Sequence, residues 1–127
     1  MSETNAGRRV LIVDDNADAV TTLSLLLQMD GHVVRAAPDG RTALEVCASF
    51  EPQVVLLDIG LPDMDGYEVA RRIRGTVPGQ GALLLAVTGW GQLEDKRRSA
   101  EAGFDEHLTK PVEFAFLSRL LATRRRC

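Results

Sequence analysis

Three unbroken apolar runs, each closed by a polar residue, constrain this chain more than anything else in it. VVLL at 54–57 ends in Asp58, VLIV at 10–13 ends in Asp14-Asp15-Asn16, and ALLLAV at 82–87 ends in Thr88. Short apolar runs without polar alternation read as strands buried on both faces, and such strands belong to parallel sheets covered by helices. After Asp58 come Gly60, Pro62 and Gly66, the punctuation of a tight loop. A carboxylate at the end of a buried strand is expensive unless a cation meets it. The alternative is an acid that has merely reached the surface where the strand stops.

The segments between the runs carry helical spacing. Val20, Leu23, Leu26 and Leu27 recur on one face of a helix at 17–29, closed by Asp30-Gly31 with Gly31 as a left-handed cap. A short, less apolar strand is expected at 32–36, nearer an edge. Asp39-Gly40 then turns into a helix with Ala43, Leu44, Cys47 and Ala48 facing inward. Val69, Ala70 and Ile73 mark a third helix. GTVPGQG at 75–81 reads as a loop because of its Gly and Pro content. A charged helix is expected at 92–102, with Glu94 and Arg98 at supportive spacing and Gly103 as its cap. A last short strand, His107-Leu108-Thr109, runs into Lys110-Pro111. The final helix carries Phe114, Leu117, Leu120 and Leu121.

Five alternations of strand and helix in 127 residues predict one α/β domain, a doubly wound parallel sheet with helices on both faces. Right-handed crossovers leave few topologies. The expected boundaries are a flexible leader at 1–8, the domain at 9–123 and a basic tail at 124–127. The net charge of −3 gives no general reason to bind nucleic acid, and the Arg124 to Arg126 run reads as a solvated helix end. No apolar run approaches the roughly 20 residues of a membrane span. Without a hydrophobic signal core in MSETNAGRR, the expected location is cytoplasmic. Cys47 and Cys127 lack metal-like spacing and read as free thiols.

In an open parallel sheet the ligand site lies beyond the carboxyl ends of the strands. This chain delivers Asp14, Asp15, Asp58, Thr88 and Lys110 there. Carboxylates converging in one crevice repel each other, which a hard divalent cation such as Mg2+ would relieve. Lysine adds a compact positive charge, and a threonine hydroxyl adds one donor and two acceptor sites. Such a set could hold a phosphoryl group in line with a carboxylate nucleophile. Singly, each residue has a plainer explanation. Asp15 or Asn16 could cap the first helix, Thr88 could cap the charged one, and Lys110 could be a surface lysine.

LIVDDN, VVLLDIGLPDMDGYE, AVTGWG and HLTKP occur in this order and at characteristic separations. With them the chain closely resembles the receiver domain of two-component response regulators, from about Arg9 to Leu121. TGWGQLEDKRRSAEAGFDEHLTKPV looks most like receivers attached to hybrid sensor histidine kinases. The resemblance implies a five-stranded flavodoxin-like sheet of order 2-1-3-4-5. It implies Asp58 as phosphoacceptor, Thr88 and Lys110 on the phosphoryl oxygens, and Mg2+ held by Asp14, Asp15, Asp58 and the Gly60 carbonyl. It implies a cis bond between Lys110 and Pro111. A sensor histidine kinase or a histidine phosphotransfer protein would be the donor, and a downstream protein or an attached domain would read the result. The expected assembly is a monomer or weak dimer, with no nucleic acid bound directly and no membrane insertion.

Relatives often carry Tyr or Phe three residues before the lysine; this chain has His107, which serves either as the Thr88-linked switch or as an exposed strand residue. Trp90 is either at the rim of the site or in a partner surface, and His32 reads as a solvated edge residue. Three other functions compete. A Mg2+-dependent aspartyl-phosphate phosphatase would carry a second carboxylate two residues after the nucleophile, where this chain has Gly60. A flavin carrier would want a hydroxyl- and glycine-rich loop where Asp14-Asp15 stand. A pure interaction domain would not need the acidic set.

Overall fold

The computed structural model describes residues 7–89 and 96–123; expectations for Trp90, Glu94, Cys127 and the Arg124 to Arg126 run lie outside these residues. The elements are β1 (Arg9–Val13), α1 (Ala17–Met29), β2 (Val33–Ala37), α2 (Gly40–Phe50), β3 (Val54–Asp58), α3 (Gly66–Arg74), α4 (Val77–Gln80), β4 (Leu83–Thr88), α5 (Lys96–Ala102), β5 (Glu106–Thr109) and α6 (Phe114–Thr123). All strand pairs are parallel, in the order β2-β1-β3-β4-β5. The flavodoxin-like order 2-1-3-4-5 is therefore present.

The continuous apolar runs explain this arrangement. Every residue of β3 and β4 is buried, as the centre of a sheet covered on both faces requires. Alternate side chains point to opposite faces and build two core layers. One joins Leu11, Val55, Leu57, Leu84 and Ala86 with α2, α3 and α5. The other joins Val10, Ile12, Leu56, Leu85 and Val87 with α1 and α6. Cys47 is a buried thiol of the first layer, and burial in apolar surroundings pushes it up to about 11.

Several local expectations shift. The edge strand β2 starts at Val33, because His32 is drawn under the chain: its Nδ1 accepts the Arg8 N–H at 3.1 Å. His32 is thus an enclosed side chain, only 10% exposed, and not a solvated one. Arg8 is itself buried, and its carbonyl accepts from Val33. In α2, Ala43 and Cys47 are buried and Leu44 is half-buried, but Ala48 faces solvent, since the inward stripe ends at Cys47. The Gly- and Pro-rich stretch is not wholly loop. Thr76 caps the short α4 by accepting the Gly79 N–H, and a proline in the first turn sacrifices no helical hydrogen bond. Gly31 (φ 96°) and Gly103 (φ 103°) take the left-handed conformation that ends their helices.

Candidate functional site

Neighbouring parallel registers bring the strand ends into one crevice. Val13 pairs with Leu57, Asp58 with Val87, and Thr88 with Thr109, so the polar residues that close β1, β3, β4 and β5 arrive side by side. Asp58 is buried, with its side chain 8% exposed. One carboxylate oxygen accepts the Gly60 N–H at 2.9 Å, and the other accepts from Lys110 Nζ at 2.9 Å. Lys110 Nζ also lies 3.1 Å from Asp14 Oδ2. A surface role for Lys110 is thereby excluded. Burial pulls the lysine down, but its bonds to Asp58 and Asp14 outweigh that and hold it above its ordinary value.

The two acids after β1 divide their tasks. Asn16, not Asp15, caps α1 by accepting the Ala19 N–H at 3.1 Å. Asp14 accepts the Asn16 N–H through Oδ1 and meets Lys110 through Oδ2. Asp15 stays exposed. Oxygens of Asp14, Asp15 and Asp58 all lie within 4.8 Å of one another, so two negative charges remain after Lys110 is counted. That donor set, all oxygen and overcharged, fits a hard divalent cation. Gly60 lies two residues past Asp58, where its backbone faces the same carboxylate.

Thr88 is 3% exposed at the end of β4. The start of the charged helix that it could cap lies outside the described residues. His107 pairs with Ala86, two residues before Thr88, and so shares a sheet face with it. His107 is only half-buried, and its ring lies 6.4 Å from that of Phe104, which in turn meets Tyr67 edge-on at 6.1 Å. His107 Nε2 lies 2.6 Å from the hydroxyl of Ser99 on α5, and Ser99 is 1% exposed. Sequence reasoning missed Ser99, because a serine within a charged helix gives no sign of facing inward. The Lys110–Pro111 peptide is cis, as the resemblance implies. Beside Asp14 and Lys110 opens a cavity of about 660 Å³, walled by Val20, Leu23 and Leu26 on α1 and by Pro111 and Val112 opposite. The helical periodicity had placed those α1 residues inside; only Leu27 is fully buried.

An open parallel sheet with an acidic crevice and a lysine at its carboxyl end defines a receiver-type α/β domain. The response regulator receiver domain family matches residues 10–122, and the chain belongs to that family. It is 36% identical over 119 residues to the response regulator MprA of Mycolicibacterium vanbaalenii, covering 93% of this chain and 51% of that one. The chain thus spans about half the length of that regulator. Among solved structures it resembles the receiver domain of the sensor histidine kinase PA1611 from Pseudomonas aeruginosa, which has a magnesium ion coordinated in its active-site cleft. Identity is 31% and the TM-score 0.81, over 91% of this chain and 95% of that one. It also resembles the receiver domain of Ssk1 from Saccharomyces cerevisiae, crystallised with the histidine phosphotransfer protein Ypd1. Identity is 26% and the TM-score 0.78, over 90% of this chain and 86% of that one.

Proposed function

We propose that this receiver takes a phosphoryl group from a phosphohistidine onto Asp58. The observation that carries the reading is the bridge from Lys110 to both Asp58 and Asp14 inside an overcharged carboxylate cluster. In the transfer, an Asp58 oxygen attacks phosphorus, the P–N bond breaks, and the imidazole leaves with that electron pair. The Gly60 N–H holds one Asp58 oxygen and fixes the direction of the carboxylate. An ammonium has three donors, and Lys110 directs two at Asp14 and Asp58, leaving the third for a phosphoryl oxygen. The Thr88 hydroxyl, buried beside the acceptor, supplies a further donor. Mg2+, held by Asp14, Asp15, Asp58 and the Gly60 carbonyl, would supply charge neutralisation as the phosphoryl group approaches the carboxylates.

The donor is a sensor histidine kinase or a histidine phosphotransfer protein, and the apolar cavity beside the acceptor offers space for such a partner's helix. The receiver unit is 9–123, flanked by 1–8 and 124–127. It works in the cytoplasm, as a monomer or weak dimer, and assists its own phosphorylation and hydrolysis without turning over an independent substrate. The described residues contain no helix long and apolar enough to cross a membrane. Readout passes from Thr88 to His107 and α5. A phosphoryl group that draws the Thr88 hydroxyl inward frees space beside His107, and movement of that ring strains its bond to Ser99. Intact-mass measurement after treatment with acetyl phosphate and Mg2+ tests the acceptor. The expected result is one added phosphate, absent in Asp58→Asn; an equal gain in the variant overturns the assignment.

A further inference from the structure

The loop between Asp58 and α3 carries a second acid that faces away from the crevice. Asp63 reaches across to the start of α2, where Oδ1 accepts the Gly40 N–H at 2.9 Å and Oδ2 accepts the Arg41 N–H at 3.1 Å. The helix already has its own cap, since Asp39 accepts the Thr42 N–H at 2.8 Å. Asp63 therefore satisfies donors that the local cap leaves open. The approach is close on the apolar side as well: a Cβ at Gly40 would lie 2.8 Å from Val69 Cγ2 and 3.1 Å from Met64 Cβ. The Gly40 N–H foremost, with that of Arg41, holds the Asp63 carboxyl below its ordinary value although it stands in solvent.

The rest of this loop is tied to the acceptor. Gly60 N–H donates to Asp58 Oδ1, Gly66 N–H donates to the Ile59 carbonyl at 3.2 Å, and Asp65 caps α3. One end of the loop is thus fastened to β3, the other to α3, and its middle to α2 through Asp63. We infer that Asp63 is a positioning residue, tethering the loop that follows Asp58 to α2 and so fixing how Gly60 presents itself to the acceptor and its cation. The metal and acceptor part rests on the reading of Asp58 given above; the tether itself does not.

The test compares Asp63→Ala and Asp63→Asn with Asp39→Ala, which removes the local cap of the same helix but leaves the loop untouched. Amide hydrogen exchange in metal-free protein is the first readout. Asp63→Ala is expected to speed exchange at Gly60 and Gly66 by about tenfold, the scale of one lost hydrogen bond to a charged group. Asp63→Asn, keeping one acceptor oxygen, falls between, and Asp39→Ala leaves these amides unchanged. Calorimetric titration with Mg2+ is the second. Its dissociation constant should rise about tenfold in Asp63→Ala, the low end for loss of a partner behind a metal ligand, less in Asp63→Asn and not in Asp39→Ala. Equal exchange at Gly60 and Gly66 in Asp63→Ala and Asp39→Ala overturns the tether. Faster exchange in Asp63→Ala, in a protein whose wild type takes up neither Mg2+ nor phosphate, upholds the tether and overturns the reading of Asp58.

Discussion

Replacing Arg74 with methionine should cost more stability than removing any surface charge in the molecule. Arg74 ends α3 and reaches beneath the sheet, opposite the crevice. Its guanidinium donates to the Gly103 carbonyl through Nε at 3.0 Å and Nη2 at 2.7 Å. Nη1 donates to Gly79 and Ala82 at 2.8 and 2.6 Å, and Nη2 also meets Asp105 Oδ2 at 2.8 Å. The pair is enclosed, with Arg74 14% and Asp105 10% exposed. Methionine preserves most of the stem's packing but takes the guanidinium away from the enclosed Asp105 carboxylate and removes donors from three carbonyls. Removing one partner of a buried pair costs about 3–5 kcal/mol. Adding the lost hydrogen bonds on top would count the same desolvation twice. With an unfolding entropy of about 2.1 cal/mol/K per residue, that loss lowers Tm by roughly 10–20 °C. Urea melts supply the free energy, and an unchanged slope would show that the loss lies in the folded state. Lysine should rescue little, because a single ammonium cannot reach four acceptors set around a planar fork. Asp105→Asn combined with Arg74→Met should recover part of the loss, since the amide carbonyl still accepts the Leu84 N–H without a buried charge. A loss under about 1 kcal/mol in Arg74→Met, or no recovery in the double variant, would refute this reasoning.

Millimolar Mg2+ should raise Tm by mass action, and Asp15→Asn should blunt the rise; superimposed scanning-calorimetry curves with Mg2+ and with chelator would count against the metal site. Asp58→Asn should blunt the rise as well while leaving the metal-free Tm equal or higher, because it removes one of three crowded carboxylates. His32 should make stability fall with acidification: burial lowers its pKa, Asp30 pulls it back up and Arg8 adds to the lowering, with a net decrease. The unfolded chain then binds the proton first, so this contribution is complete above about pH 6.5 and fades as pH falls from there through the folded-state value. Urea midpoints between pH 7 and 5 should slope less in His32→Gln, and an identical slope would exclude His32 as the source. Thr88→Ala should leave Asp58 phosphorylatable but confine the amide shifts induced by beryllium fluoride to the loop after Asp58. Shifts that still reach His107 and α5 would break the proposed route.

The sheet was legible because its code is redundant: apolar runs closed by polar residues specify strand, burial and site together. The acidic cluster and Lys110 followed from the same reading, since a residue's place at a strand end determines which crevice it faces. What stayed hidden depends on distance across the chain. His32 looked solvated because its partner is a backbone N–H at residue 8, and no local pattern announces that. Asp63 gives no local sign of its role, for its bonds go to α2. Ser99 and Arg74 likewise gain their roles from β5 and from the α5–β5 connection. The α4 turn was missed because Gly and Pro content points to a loop, while a four-residue helix needs little more than the Thr76 cap.

The complete burial of β3 and β4 has a consequence for how long a mark on this molecule could persist. Strands with no exposed residue on either face belong with the core elements whose opening free energy approaches that of the whole domain, so their ends are expected to open far less often than the loops. A group attached to Asp58 would be anchored to the slowest part of the structure. Water would have to reach it past the surrounding loops. The clock for erasing such a mark would then be set by the loops after β1 and β3, which are not part of the buried strands beneath. One scaffold could in this way keep signals of very different durations.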